Sequence, residues 1–159
     1  LGWRFPDVVV YETGGGTGLI GMWKAFVEIK SMGWVNDPLP RMVAAQSTGC
    51  APVVKAFQER QRDTDFWENS DTVALGLNVP GPLGGAWILD ILRESKGIAI
   101  MIDEQRLKAL TEEFNNLTSI NSSDEGGVVW GAYSHLKKVG WIKPKERSVI
   151  FATGIERIK

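Results

Sequence analysis

Cysteine occurs once in these 159 residues, at Cys50, so no disulfide forms within the chain and no cysteine-based zinc site can be assembled. That scarcity suits a reducing compartment and a cytoplasmic location. Charge of one sign is also missing: the net charge is -1, which removes the electrostatic case for nucleic acid or an anionic membrane as a partner. No apolar run approaches the roughly 20 residues that span a bilayer. No charged-then-apolar leader opens the chain. There is no initiator Met either; the chain starts at Leu1-Gly2-Trp3, just ahead of a strand, and stops at Lys159, just after another. It is expected to be a piece of something longer, or a processed or truncated product. What remains is 43% hydrophobic and 23% charged, the composition of one ordinary globular domain, residues 1–159, able to bury about 70% of its unfolded surface.

Strand and helix signals alternate. Asp7 to Tyr11 is a short β-branched run between Pro6 and a glycine cluster, and reads as a central parallel strand. Leu19 to Lys30 carries an apolar stripe at helical spacing through Leu19, Met22, Trp23, Phe26, Val27 and Ile29. A strand over 41–46, a helix over 50–62, an irregular Gly/Pro-rich stretch over 63–85, a helix over 86–96 and a strand over 97–102 follow. Asp103 caps a helix running to about Asn115; a polar turn, a helix over 125–139 and a strand over 147–152 complete the pattern. Such alternation predicts an α/β fold, a parallel sheet in three α/β/α layers, with no internal repeat and no linker.

Thr13-Gly14-Gly15-Gly16-Thr17-Gly18 joins the first strand to the first helix. A tight turn needs one or two glycines; this loop has four, at Gly14, Gly15, Gly16 and Gly18. Without Cβ atoms the backbone turns sharply and presents several N–H groups to one ligand. The following helix adds its positive end and its unpaired amides, and Thr13 and Thr17 add hydroxyls. The loop is therefore a phosphate cradle. Gly16 to Gly21 matches the dinucleotide spacing G-x-G-x-x-G, but the next strand ends in Gln46-Ser47, without the acid that holds an adenosine ribose. No Gly-Lys-Ser/Thr follows, so the Walker pattern fails. A small phosphorylated cofactor is the better candidate.

Val8-Val9-Val10-Tyr11-x-Thr13-Gly14-Gly15-Gly16-Thr17-Gly18-Leu19-Ile20-Gly21-Met22-Trp23-Lys24-Ala25-Phe26 closely resembles the phosphate loop and following helix of the threonine synthases, pyridoxal-phosphate enzymes of the tryptophan-synthase-β-like group (fold type II). Pro40 to Ala44, Gly49 to Val54, Thr72 to Pro80, Glu125-Gly126, Gly140 to Pro144 and Thr153-Gly154 are similar to later segments of the same family. The resemblance implies that this chain is the C-terminal part of the large domain. It also implies that Gly14, Gly15, Gly16, Thr17 and Gly18, with Thr13, hold the phosphate of pyridoxal 5′-phosphate. Ala74 belongs to a segment that lies near the cofactor ring in the family, and Thr153 would make one hydrogen bond at the pyridine nitrogen. A neutral hydroxyl there leaves the nitrogen less firmly protonated and tempers the ring as an electron sink. The implied reaction converts O-phosphohomoserine and water to threonine and phosphate, in a homodimer.

Four departures from the family pattern stand out. Glu12 replaces a usual Pro, and a carboxylate beside a phosphate cradle is unwelcome unless it points away. Asp124 replaces another Pro, and Ile155-Glu156-Arg157 replaces a small-residue tail. The Ser-Phe-Lys-Asp type motif that carries the Schiff-base lysine is absent, so this chain contains no catalytic residue of its own. Lys24 and Lys55 lie on amphipathic helices and read as solvated. Three alternatives remain: a threonine or serine dehydratase of the same group, a non-catalytic phospholigand-binding remnant and, more distantly, a nicotinamide-binding protein. Elsewhere the plainer readings prevail. His135 is expected to be half-exposed on a helix and Cys50 to be a small buried residue. Trp23, Trp87 and Trp130 are expected in the core, and Asp63, Asp65, Glu68, Glu112 and Glu113 on solvated surfaces.

Overall fold

Valines 8 to 10 show how the layers form. In the computed structural model, which describes residues 2–155, Val8 and Val10 face one hydrophobic cluster and Val9 faces another. All three are fully buried. Successive side chains of a strand point to opposite faces, so an unbroken apolar run needs cover on both sides. That run is strand β1, Val8–Glu12. It lies between β2, Arg41–Ser47, and β4, Ser148–Phe151, with β3, Ile98–Ile102, outside β2. Every pairing is parallel, with Val10 opposite both Val43 and Ile150, and Ala44 opposite Ala99.

Helices α1 (Thr17–Ser31), α2 (Pro52–Gln58) and α3 (Gly85–Glu94) cover the Val9 face through Leu19, Trp23, Val53, Val54, Ile88, Leu89 and Leu92. Helices α4 (Leu107–Thr118) and α5 (Asp124–Lys138) cover the other through Leu107, Leu110, Val128, Val129, Ala132 and Leu136. Burying each such side chain stabilises the fold by about 1.5–3 kcal/mol relative to exposure. This is the expected three-layer α/β/α arrangement, with the strands' carboxyl ends all at one edge.

Three details differ from expectation. Helix α2 ends at Gln58, four residues early, because Arg60 takes a left-handed φ of 58° and the Gln61 amide closes the end on the Ala56 carbonyl at 2.9 Å. A left-handed C-terminal residue stops a helix, and arginine there leaves no glycine signal to read. Helix α4 runs on to Thr118, beyond Asn115, and stops at Ser119, also left-handed. Trp87 is 68% exposed rather than core, because α3 turns Ile88, Leu89 and Leu92 to the sheet. Trp23 is buried and Trp130 packs half-buried against Phe114, while Cys50 is fully buried. His135, Lys24, Lys55, Glu112 and Glu113 are exposed. Of the tail departure, Glu156 and Arg157 lie outside the described residues.

The irregular stretch between α2 and α3 is held by specific bonds. The Trp67 amide donates to the Pro80 carbonyl at 2.9 Å and its ring Nε1 to the Gly49 carbonyl at 3.1 Å. The Val73 amide donates to Glu104 Oε1 at 2.6 Å. These ties lay a short 3-10 turn, Leu75–Leu77, over the carboxyl end of the sheet. None of the described helices is long and apolar enough to cross a membrane.

Candidate functional site

A cavity of about 360 Å³ opens at the carboxyl ends of β1 and β4, lined by Tyr11, Glu12, Gly14 to Thr17, Gly76, Leu77, Glu125, Thr153 and Gly154. Ligands of open parallel sheets bind at this edge. One wall is the β1–α1 loop. Gly16 has a φ of 83°, and a Cβ there would overlap Ile88 Cδ1. A Cβ on Gly14 would stand 2.8 Å from the Gly76 carbonyl oxygen. Both positions therefore need glycine. Gly15 is different: a Cβ there meets no atom within 4 Å, so the backbone is bare toward open space.

The amides of this loop supply the fit test for an anion. The Thr13 amide donates to the Ala45 carbonyl, and Ile20 makes the first bond of α1, to Gly16. Between them, no acceptor among the described residues takes the amide hydrogens from Gly14 to Leu19, and no side chain caps the helix. The first turn of α1 also holds no acidic residue. Gly14 and Gly16 are buried, and buried amides are almost always paired. Unpaired donors at the positive end of a 15-residue helix suit a phosphate.

The opposite wall is acidic. Glu12, 3% exposed, accepts two hydrogen bonds at Oε1, from the Thr153 amide at 2.7 Å and the Thr153 hydroxyl at 2.5 Å. Its other oxygen, Oε2, is buried without a partner among the described residues. Burial pushes the Glu12 carboxyl above its ordinary value; the bonds from Thr153 oppose that rise, and the nearby Glu125 charge adds to it. Burial, and then the Glu12 charge, raise the neighbouring Tyr11 phenol. Glu125, in the first turn of α5, accepts from the Gly76 amide at 2.7 Å and from the Ser123 hydroxyl. It thereby ties the Leu75–Leu77 turn to the helix. The cavity is thus polarised, with bare amides at one end and carboxyl groups at the other.

Of the residues singled out in the sequence, Gly14, Gly15, Gly16, Thr17 and Thr153 meet at this cavity. Thr13 is fully buried and its hydroxyl donates to the Tyr11 carbonyl at 3.0 Å. Gly18 stands behind the loop, against the Tyr11 ring. Ala74 is fully buried in the core, and its neighbours Gly76 and Leu77 reach the cavity wall instead. Glu12, Tyr11, Gly76 and Glu125 also line the cavity, although the sequence did not mark them as expected cofactor contacts. The available signals were the unusual acid before the glycines and the Glu-Gly pair opening a helix. Cys50, fully buried and not among the residues lining this cavity, has a thiol pushed up by burial, which disfavours the thiolate.

Comparison with known proteins agrees with this geometry. A family model described as "Pyridoxal-phosphate dependent enzyme" matches residues 1–154. A threonine synthase of Methanocaldococcus jannaschii is 27% identical over 97% of this chain and 38% of its own length. A cysteate synthase of Methanoregula boonei is 24% identical over 98% of this chain and 40% of its own length. The chain therefore spans about two fifths of these relatives. Among solved structures, a processed threonine deaminase isoform of Solanum lycopersicum superposes with a TM-score of 0.72, covering 96% of this chain and 41% of its own, at 19% identity.

Proposed function

The chain belongs to the pyridoxal-phosphate-dependent enzymes, and from that premise we propose that it is the C-terminal part of the cofactor-binding large domain of a threonine-synthase-like lyase. The single observation behind this reading is the run of unpaired amides from Gly14 to Leu19 at the start of α1. Family membership makes pyridoxal 5′-phosphate the cofactor; when bound, its conjugated ring draws electrons from the substrate's α- and β-carbons. Gly14, Gly15, Gly16 and Thr17 hold the phosphate through their amides, with the Thr17 hydroxyl as a further donor. Each amide–phosphate hydrogen bond contributes about 1.5–3 kcal/mol, as bonds to charged groups do. Thr153, across the cavity, contacts the ring nitrogen. Glu125 keeps the Gly76 backbone in place as the wall beside the ring.

Among the described residues, no lysine lines the cavity. The chain's part in the reaction is to bind and orient, and the covalent step belongs to a lysine on the portion of the protein outside these 159 residues. The net reaction of the whole protein is O-phosphohomoserine plus water to threonine plus phosphate, in a cytoplasmic homodimer. The cysteate synthase and threonine deaminase similarities keep other reactions of the group in view, and the product distinguishes them. Phosphate release from O-phosphohomoserine supports the proposal; ammonia release from threonine or serine, without it, overturns it in favour of a dehydratase.

Binding is tested on the 159-residue chain by titration with pyridoxal phosphate and with pyridoxal, following tryptophan fluorescence. Saturable binding that requires the phosphate is the expected result. Equal response to both compounds refutes the phosphate cradle, and no response to either leaves a remnant that binds no cofactor.

A further inference from the structure

We infer that Glu12 is a positioning residue for the ring nitrogen: by accepting the Thr153 hydroxyl proton it makes Thr153 a hydrogen-bond acceptor, so the site favours the protonated, pyridinium form of its cofactor. The inference rests on the reading that this cavity takes pyridoxal phosphate.

A threonine hydroxyl has one hydrogen and two lone pairs. At Thr153 that hydrogen is committed to Glu12 Oε1, 2.5 Å away. Toward anything in the cavity the Thr153 oxygen can only accept. A neutral pyridine nitrogen is itself an acceptor, so the two would face each other as lone pairs. A protonated nitrogen carries the hydrogen that fits. The Thr153 backbone locks this polarity, because its amide also donates to Oε1 and demands an acceptor there. Protonation of Glu12 does not reverse it. Oε1 already takes two donors, so a proton goes to the unpartnered Oε2 and the bonds at Oε1 persist.

Among the described residues, the titratable groups lining the cavity are Tyr11 and Glu12 from β1 and Glu125 from α5. None of these described groups is cationic, so none of them opposes a positive charge on the ring nitrogen. A bare hydroxyl at Thr153 could have turned to donate; Glu12 removes that choice, and the expectation of a weakly protonated nitrogen is reversed.

The experiment follows the nitrogen-15 chemical shift of ring-labelled pyridoxal phosphate bound to the chain, across pH, in wild type and in Glu12→Gln, Glu12→Ala and Thr153→Val. Gln keeps an acceptor oxygen, pinned by the Thr153 amide, and is expected to retain the wild-type midpoint for loss of the ring proton. In Glu12→Ala and Thr153→Val the midpoint is expected to fall by about one pH unit, a tenfold loss of proton affinity. A merely structural role for Glu12 would change stability or affinity and leave the midpoint in place. An unchanged midpoint in Glu12→Ala overturns the inference, and so does an equal fall in Glu12→Gln. If Glu12→Ala does not fold by circular dichroism, Thr153→Val decides in the same way. Absence of saturable cofactor binding in wild type is a separate outcome: it overturns the site reading, and this inference with it.

Discussion

Adding one methyl group at Gly15 separates what the loop does for the fold from what it does for a ligand. A Cβ at Gly15 meets no protein atom within 4 Å, and Gly15 has no positive φ. Gly15→Ala therefore leaves the folded state unstrained. It also narrows the unfolded ensemble, which stabilises a protein by about 0.4–1 kcal/mol. The melting temperature should stay level or rise by about 1–4 °C. Binding should move the other way. The methyl occupies the face that a phosphate needs to approach, and loss of two charge-assisted amide bonds weakens affinity by about 3–6 kcal/mol, roughly a hundredfold to ten-thousandfold. Gly16→Ala is the control. Its φ of 83° and overlap with Ile88 make it destabilising by about 1–3 kcal/mol or more, with binding lost only because the loop is lost. The assay pairs thermal melting by circular dichroism with a pyridoxal-phosphate titration. A stable Gly15→Ala protein that binds as tightly as wild type refutes the cradle.

Two further outcomes follow from the acidic wall. The Glu12 carboxyl titrates higher when folded than unfolded, so the folded state binds the extra proton. Its contribution to stability is full below the unfolded carboxyl value and is lost as pH rises through the folded one. Urea denaturation of the ligand-free chain should show stability declining over that interval, with a shallower decline in Glu12→Gln; an equal slope in both proteins removes Glu12 as the cause. Glu125→Ala leaves the Gly76 amide without its acceptor. It should lower stability by about 1–3 kcal/mol and speed hydrogen exchange at Gly76; unchanged exchange there means that the carboxylate does not hold the turn.

The layers were legible because their signals are local. The valines of β1 need cover on both faces, and the stripes of α1 and α5 supply it at helical spacing. The glycine loop was legible for a similar reason: one short segment holds both the freedom to turn and the donors. Failures came where backbone conformation or the facing of a side chain, rather than residue type, decided the result. Arg60 ends α2 in a conformation that arginine does not advertise. Trp87 shares a helix with buried Ile88 and Leu89, yet lies outside the surface they present to the sheet. Ala74 is buried in the core, and the 3-10 turn after it brings Gly76 and Leu77 to the cavity wall.

Glu12 is the case in which the sequence posed the right question and only the fold could answer it. A carboxylate next to a phosphate cradle is electrostatically unwelcome, and no spacing rule says where it turns. The sheet order does. β4 lies beside β1 with Tyr11 opposite Phe151, so the chain leaving β4 brings Thr153 to Glu12 across 141 residues of sequence. The carboxyl group is thereby engaged by two donors, and the amides from Gly14 to Leu19 stay unpaired among the described residues. Parallel pairing of two strands thus turns the acid away from the loop that follows it, and sets carboxyl groups and unpaired amides at opposite ends of one cavity.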